Sequence, residues 1–226
     1  MSDRARVVVL ISGRGSNMAA LIGAAKDPAY PAEIVAVISN RPNAGGLETA
    51  RSAGIATDVV DHKDFDSREA FEEKLNAAID AFRPDVVCLA GFMRLLTAGF
   101  AEKWRDRLIN IHPSLLPSFK GLDTHLRALA AGVKLHGCSV HFVRPEMDAG
   151  PLIAQGAVPV LSSDTEETLA ARVLAAEHEL YPAALALVAS GRTRVVEHRV
   201  IVEPEEDGAL PPALIWPRGK FSPDGH

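Results

Sequence analysis

The sequence predicts an α/β protein built on an open, mostly parallel, doubly wound sheet with a mixed C-terminal part. Short apolar runs in the first half of the chain are continuous rather than alternating, as expected for strands buried on both faces of a parallel sheet. Helical stretches separate these runs, which is the pattern of consecutive β-α-β units with right-handed crossovers. After residue 112, two longer strand-like segments precede one long helix, which predicts the mixed part.

The predicted strands and helices alternate along most of the chain. Strands are predicted over residues 7–11, 34–38, 86–90, 108–112, 134–143 and 152–160. Helices are predicted over residues 18–25, 47–53, 67–82 and 165–189. Gly54 and Gly191 are expected to end two of the helices, and the expected N-caps of two helices are Ser67 and Asp164. Because the loops that follow parallel strands gather at one edge of the sheet, we expect a ligand site there.

Composition and charge restrict the class of protein. With 226 residues and 47% hydrophobic content, the chain is long enough for one large α/β domain. No apolar run approaches the roughly 18 residues of a membrane span or forms a signal peptide, so we expect a cytoplasmic protein without a membrane partner. A net charge of −5 without a block of Lys or Arg predicts no nucleic-acid partner. The two distant cysteines, Cys88 and Cys138, argue against a disulfide framework and a cysteine zinc site.

A glycine-rich loop joins the first predicted strand to the first helix. Its residues are Ser12, Gly13, Arg14, Gly15, Ser16 and Asn17. Glycines let the main chain approach an anion closely, and a helix N-terminus offers free N–H groups and a positive dipole. The favoured interpretation is a phosphate site, to which the side chains of Ser16 and Asn17 add donors.

Two other interpretations of this loop stay open. Gly13 and Gly15 match the first two glycines of a dinucleotide fingerprint, but Met18 stands where the third belongs. No acidic residue follows the second strand, whereas Arg41 suits a 2′-phosphate, so an NADP reductase is one alternative. The other alternative is a tight strand-to-helix turn that binds nothing.

A polar pair closes the strand predicted over residues 108–112. Asn110 and His112 are two residues apart, so their side chains point to the same face at the edge where sites are built. Asp148 lies in a loop bounded by glycine and proline, from which its carboxylate can be held toward His112. Such a carboxylate keeps an imidazole charged or in a useful tautomer, and an adjacent amide stabilises an oxyanion. A structural histidine beside a strand-end asparagine is the alternative interpretation.

Other catalytic signatures are absent from the sequence. There is no Gly-x-Ser-x-Gly elbow, no His-Glu-x-x-His and no Walker loop with its lysine. His136 and His141 lack a third ligand at a suitable spacing, so no metal is predicted. Asn, His and Asp without a clear nucleophile indicate direct transfer between two bound substrates.

Seven segments of the chain carry a family resemblance. They are residues 9–17, 65–70, 90–96, 110–117, 139–143, 148–151 and 177–182. In this order they resemble the phosphoribosylglycinamide formyltransferases, folate-dependent enzymes of purine synthesis. Segment 110–117 with Asp148 is common to formyl-folate hydrolases and transferases, whereas the loop over residues 13–17 is specific to the ribonucleotide enzymes. The resemblance implies the formyltransferase fold, which is a Rossmann-like sheet.

The resemblance also implies a reaction and a set of site residues. A formyl group would pass from 10-formyltetrahydrofolate, a co-substrate, to the amine of glycinamide ribonucleotide without a metal. The catalytic residues implied are Asn110, His112 and Asp148. The ribonucleotide contacts implied are Gly13, Arg14, Gly15, Ser16, Asn17 and Glu177. The folate contacts implied are Arg68, Met93, Arg94, Leu95, Leu96 and Val143. Without the resemblance, Arg68 and Glu177 would be interpreted as solvated helix residues and Met93 as a core residue.

The chain is expected to form one domain with an appended arm. Residues 1–203 would be the formyltransferase domain, with a ribonucleotide phosphate-binding half over 1–112 and a folate and catalytic half over 113–203. Residues 204–226 are expected to be an irregular C-terminal arm. Asp123 departs from family members that have a histidine at this position. Monomer and homodimer are both compatible with the sequence.

Several related functions stay as alternatives. A formyltetrahydrofolate deformylase shares the Asn-His-Asp chemistry but is expected to carry an extra N-terminal domain, whereas here the first strand begins at Val7. Methionyl-tRNA formyltransferases carry a C-terminal RNA-binding domain, which the short segment after residue 194 does not match. A non-enzymatic nucleotide-sensing module would bind phosphate ligands yet tolerate the loss of His112.

Overall fold

The computed structural model describes residues 4–203 and Trp216. The expected C-terminal arm over residues 204–226 therefore lies outside the described residues, except for Trp216. The Trp216 indole N–H donates to the Val160 carbonyl oxygen at 3.2 Å. Among the described helices, none combines the length and the apolar character that a membrane span requires.

The elements of the described residues follow the predicted alternation. The strands are β1 (Ala5–Ile11), β2 (Ala32–Ser39), β3 (Ala56–Val59), β4 (Val86–Leu89), β5 (Leu108–His112), β6 (Leu135–Phe142), β7 (Leu152–Pro159), β8 (Thr193–Val196) and β9 (Arg199–Val202). The α-helices are α1 (Ser16–Ala25), α2 (Gly46–Ser52), α3 (Arg68–Asp80), α4 (Ala98–Lys103), α5 (Thr124–Ala131) and α6 (Glu166–Ala189). The sequence did not predict β3, β8, β9, α4 or α5.

The main sheet has the strand order β3-β2-β1-β4-β5-β6-β7. Strands β1 to β5 pair in parallel, whereas β6 runs antiparallel to both β5 and β7. The predicted mostly parallel sheet with a mixed C-terminal part is therefore confirmed. The direction of strand succession reverses between β1 and β4, and in such folds the loops after these two strands flank a ligand crevice.

Both faces of the central strands of the sheet are buried, which explains the continuous apolar runs. In β1, Val7, Val9 and Ile11 pack with α1, α2 and α6 on one face. Val8 and Leu10, the alternate residues, pack with α3 and α4 on the other face. Burying each such side chain contributes about 2 kcal/mol, so this two-sided core fixes which strand ends meet at the crevice.

The N-cap of α6 differs from the prediction. The Thr165 hydroxyl oxygen accepts the Thr168 N–H, so Thr165 caps the helix and the prediction of Asp164 is wrong. The Asp164 carboxylate instead binds the Arg172 guanidinium through two contacts of 2.8 Å. The predicted cap of α3 is confirmed, because the Ser67 hydroxyl oxygen accepts the Ala70 N–H at 3.1 Å.

Candidate active site

A buried chain of hydrogen bonds holds the crevice between β1 and β4 together. The Ser12 N–H donates to the Gly91 carbonyl oxygen at 3.2 Å, and the Ser12 hydroxyl donates to Asn40 Oδ1 at 2.5 Å. The same hydroxyl oxygen accepts the Met93 N–H at 2.7 Å. Because Ser12 and Asn40 are buried, these bonds fix the glycine-rich loop relative to the segment that follows β4.

The glycine-rich loop turns the chain from β1 into α1. Gly15 adopts a left-handed φ of 69° at the N-cap, and Ser16 begins the helix. The Gly46 N–H donates to the Gly13 carbonyl oxygen at 3.0 Å, and a Cβ on Gly46 would lie 2.6 Å from a side-chain atom of β1. Glycine at this position therefore lets α2 pack against the loop. Gly13, Arg14 and Ser16 are exposed, so a ligand can reach the N-terminus of α1.

Asn17 and Glu177 form a buried polar pair beside this loop. Asn17 Nδ2 donates to Glu177 Oε2 at 2.7 Å, which joins α1 to α6. Burial raises the pKa of the Glu177 carboxyl, and the hydrogen bond from Asn17 opposes that rise. Asn17 Oδ1 is buried and has no hydrogen-bond partner among the described residues. Because a buried acceptor without a partner is costly, this atom suits a donor on a ligand.

Asp148 lies beside the polar pair at the end of β5. His112 Nδ1 is 3.5 Å from Asp148 Oδ2, and His112 Nε2 is 3.1 Å from the Phe119 carbonyl oxygen. Since a carbonyl oxygen can only accept, Nε2 carries a proton and Nδ1 faces the carboxylate. Both side chains are largely buried. In the neutral ring, the bare nitrogen is therefore Nδ1, and it faces Asp148.

A second histidine and a main-chain donor complete this cluster. The Gly121 N–H donates to Asp148 Oδ2 at 2.9 Å. Asn110 Nδ2 is 3.3 Å from His141 Nε2, and that ring nitrogen is 3.8 Å from Asp148 Oδ1. Sequence reasoning missed His141 as a member of the site, because its place opposite Asn110 depends on the register of β5 with β6. Over residues 4–203 and Trp216, no group of three His, Cys, Asp or Glu side chains could hold a metal ion.

Left-handed main-chain conformations surround the cluster. Phe119 and Asp123 have a φ of 55°, and Asp148 has a φ of 50°. Each costs a non-glycine residue on the order of 1 kcal/mol, and such conformations gather at functional sites where the surroundings enforce them. Phe119 and Asp148 also supply the oxygen atoms that face the two nitrogens of the His112 ring, so the strain lies in groups that orient it.

The remaining predicted site residues lie after β4, after β6 and at the start of α3, outside the cluster. Met93 and Leu95, between β4 and α4, are 64% and 61% exposed. In the part of the chain that the structure describes, the main-chain groups of residues 94–96 make no hydrogen bond. Val143 follows β6, and its N–H donates to the Leu108 carbonyl oxygen at 2.8 Å. Arg68 is the exposed first residue of α3, and the structure gives it no polar contact with the cluster.

A family model described as formyl transferase matches residues 5–185 of the chain. The chain belongs to the formyl transferase family. The matched range contains the glycine-rich loop, Glu177, and the cluster of Asn110, His112 and Asp148.

Individual members of the formyl transferase family resemble the chain over most of its length. The phosphoribosylglycinamide formyltransferase of Escherichia coli (strain K12) is 48% identical over 206 residues, which cover 91% of this chain and 96% of the relative. The solved structure of phosphoribosylglycinamide formyltransferase from Brucella melitensis is 59% identical, with a TM-score of 0.80, and the match covers 86% of this chain and 99% of that one.

Longer formyl transferase relatives contain the matched region as one part. The trifunctional purine biosynthetic protein adenosine-3 of Bos taurus is 51% identical over 204 residues, which cover 90% of this chain. The same match covers 20% of the relative, so the chain spans about a fifth of the length of these trifunctional proteins.

Proposed function

We propose that the protein transfers a formyl group from 10-formyltetrahydrofolate to the amine of glycinamide ribonucleotide, a step of purine biosynthesis. The observation that supports this most is that the Asn110, His112 and Asp148 cluster shares one sheet edge with a loop suited to phosphate. The relationship over nearly the whole chain to enzymes named for this reaction also supports it.

The ribonucleotide would bind at the glycine-rich loop and the Asn17–Glu177 pair. Free N–H groups at the start of α1, with the exposed side chains of Arg14 and Ser16, suit a phosphate. The Glu177 carboxylate would accept from ribose hydroxyls, and Asn17 Oδ1 would accept from a further ligand donor. Asn17 belongs to α1 and Glu177 to α6, so this subsite would contain residues from both the 1–112 half and the 113–203 half of the chain.

The folate would bind on the rim formed by residues 93–96 and Val143, with Arg68 nearby. The free main-chain groups of residues 94–96 offer donors and acceptors that suit the polar edge of a pterin ring. The exposed apolar side chains of Met93 and Leu95 suit its faces. The hydrogen bond from the Met93 N–H to Ser12 would hold this segment in place relative to the ribonucleotide loop.

The catalytic cluster would act on the formyl group as the amine attacks it. At 3.5 Å from Asp148 Oδ2, the Nδ1–H of a charged ring would make only a long contact with the carboxylate and would turn to donate to the developing oxyanion. Asn110 Nδ2 would add a second donor, and one good donor is worth about 3 kcal/mol in the transition state. Holding both substrates in line removes about 7 kcal/mol of the barrier or more.

Asp148 would support the charge on His112 and carry the proton from the amine to the departing folate nitrogen. Asp148 also lines a neighbouring cleft of about 390 Å³ together with Lys120 and His198, which supports access of water to this side chain. The carboxylate would therefore act partly through water rather than only by direct contact.

The direct test is to incubate the purified protein with 10-formyltetrahydrofolate and follow folate absorbance with and without glycinamide ribonucleotide. We expect loss of the formyl group only when the ribonucleotide is present. Loss at the same rate without it would assign a hydrolase instead. No turnover in either mixture by a folded sample would reject both reactions.

Glu177→Gln is expected to make the protein more stable at pH 7.5 and to weaken ribonucleotide binding. Burial raises the pKa of the Glu177 carboxyl above its ordinary value of 4.5, so the folded state holds this proton more tightly than the unfolded state. The contribution of this proton to folding stability is complete below pH 4.5, and it is lost as the pH rises through the raised pKa. Glutamine cannot ionise, and its side-chain oxygen still accepts from Asn17 Nδ2. The Glu177→Gln protein therefore does not lose stability as the pH rises.

The measurements are melting temperature from pH 4.5 to 8 and the KM for the ribonucleotide. We expect a higher melting temperature at pH 7.5 and a KM raised about tenfold, since a neutral acceptor binds ribose hydroxyls less strongly than a carboxylate. Glu179→Gln, on an exposed position of the same helix, is the control and should change neither quantity. A less stable Glu177→Gln protein with an unchanged KM would contradict both parts.

A further inference from the structure

We infer that His141 is a positioning residue that orients the Asn110 amide, so that this amide presents an N–H to the reacting formyl oxygen. Nothing in the family match assigns a role to this histidine. The inference rests on the proposed function for its consequence in catalysis. It rests on hydrogen-bond geometry for the orientation itself.

His141 and Asn110 face each other across two strands. They are direct partners in the antiparallel pairing of β5 with β6, so their side chains lie on the same face of the sheet. His112 and Ser139 form the next pair of residues on that face. His141 is 2% exposed, which means that its ring nitrogens must find partners inside the protein.

The protonation state of the His141 ring follows from its contacts. Nδ1 lies 3.0 Å from the Phe142 carbonyl oxygen, which can only accept, so Nδ1 carries a proton. In a neutral imidazole the other nitrogen, Nε2, is then an acceptor. Burial lowers the pKa of His141, although the Phe142 carbonyl and the Asp148 carboxylate act in the opposite direction. The ring is therefore neutral, and Nε2 requires a donor.

Asn110 supplies that donor. Its Nδ2 is 3.3 Å from His141 Nε2, whereas Asp148 Oδ1 is 3.8 Å away and beyond hydrogen-bond distance. The two ends of an asparagine amide are similar in size, so sterics alone would not choose between them. An acceptor nitrogen at this distance selects the NH₂ end. The orientation of the Asn110 side chain is thus determined by the His141 tautomer.

This orientation has a consequence for the reaction. An Asn110 NH₂ group has two protons, and among the described residues only His141 takes one of them. The second N–H can therefore be given to the oxygen that becomes negative in the transition state. If the acceptor on His141 is removed, the Asn110 amide can also turn its carbonyl oxygen toward the reacting formyl oxygen. The partial negative charge of the carbonyl would then oppose the developing oxyanion.

The tautomer can be tested without any substrate. In the unaltered protein with ¹⁵N-labelled histidine, we expect NMR to show His141 protonated at Nδ1 and bare at Nε2 at pH 7.5. We also expect one Asn110 Nδ2 proton to exchange slowly with solvent. A proton on His141 Nε2 would overturn the inference, whether or not the protein catalyses formyl transfer.

Three substitutions at His141 separate positioning from packing. A glutamine side chain places an acceptor near the position of Nε2, whereas asparagine reaches only the position of Nδ1 and phenylalanine keeps the ring shape without an acceptor. We expect His141→Asn and His141→Phe to lower kcat about 30-fold, with the KM of both substrates within threefold. We expect His141→Gln to stay within fivefold of the unaltered kcat.

Val140→Ala is the control for damage to β6, because Val140 is buried in the core and, as the neighbour of His141 along the strand, points to the opposite face of the sheet. It should lower the melting temperature while kcat stays within twofold. Equal losses of kcat in all three His141 variants, in proportion to melting temperature, would identify a purely structural residue. Absence of turnover by the unaltered protein would contradict the proposed function, and the NMR result would then decide the positioning role alone.

Discussion

Asp148→Asn is expected to lower kcat about 1000-fold, with the KM of both substrates changed less than threefold. Asparagine has the same shape, accepts the Gly121 N–H through its oxygen and tolerates the left-handed φ of 50° as aspartate does. It lacks the negative charge that supports a protonated His112 at 3.5 Å, and it cannot take a proton. Loss of a positioned acid–base group typically costs 100- to 10,000-fold, which gives the magnitude. Steady-state kinetics with each substrate varied would measure it.

Asp123→Asn is the matched control for that experiment. Asp123 is exposed and also has a left-handed φ, of 55°, but its side chain makes no hydrogen bond in the described structure. Its kcat should remain within twofold of the unaltered value. If Asp148→Asn retained more than a tenth of the unaltered kcat, the role proposed for the carboxylate would be wrong.

Gly150→Ala is expected to lower the free energy of unfolding by about 3 kcal/mol or more and to abolish most activity. A Cβ on Gly150 would lie 1.6 Å from the Phe142 carbonyl oxygen, so either the end of β6 or the loop must move. Gly150 is two residues after Asp148, and any shift of the loop changes the distance from the carboxylate to His112. Denaturant unfolding together with kcat would measure both effects.

Gly23→Ala is the opposite case and serves as the control. Gly23 is exposed within α1, and a Cβ there meets nothing within 4 Å. Alanine is a better helix former than glycine, so stability should rise by about 0.5–1 kcal/mol without a change in kcat. If Gly150→Ala left the free energy of unfolding within about 1 kcal/mol of the unaltered protein, the close approach of these two main-chain segments would be incorrect.

The predicted fold depended on elements with strong local signals. The runs that became β1, β2, β4 and β5 are apolar because both of their faces are buried, and this pattern can be seen without any tertiary information. The unpredicted β3 has four residues that are mostly exposed, and the unpredicted α4 has six residues. Both elements are short and are formed by pairing or packing with neighbours, so their own residues carry little signal.

Side-chain choices made by tertiary contacts were harder to predict. Asp164 and Thr165 are both good N-cap residues, and the ion pair from Arg172 to Asp164 leaves Thr165 as the cap. The same is true of the site. The spacing of Asn110 and His112 predicted a shared face, because alternation along a strand is local. The pairing of Asn110 with His141 depends on the register of β5 with β6. The hydrogen bond from His112 to the Phe119 carbonyl oxygen depends on the left-handed conformation of Phe119. Residue spacing specifies neither.

The most direct measurement of the proposed reaction follows the formyl carbon itself. Protein, glycinamide ribonucleotide and 10-formyltetrahydrofolate labelled with ¹³C in the formyl group are mixed, and the label is followed by NMR. We predict that the label moves to the ribonucleotide amine as a formamide, and that it stays on the folate when the ribonucleotide is left out. Release of the label as free formate, at a rate independent of the ribonucleotide, would contradict transfer and assign the cluster of Asn110, His112 and Asp148 to a hydrolase.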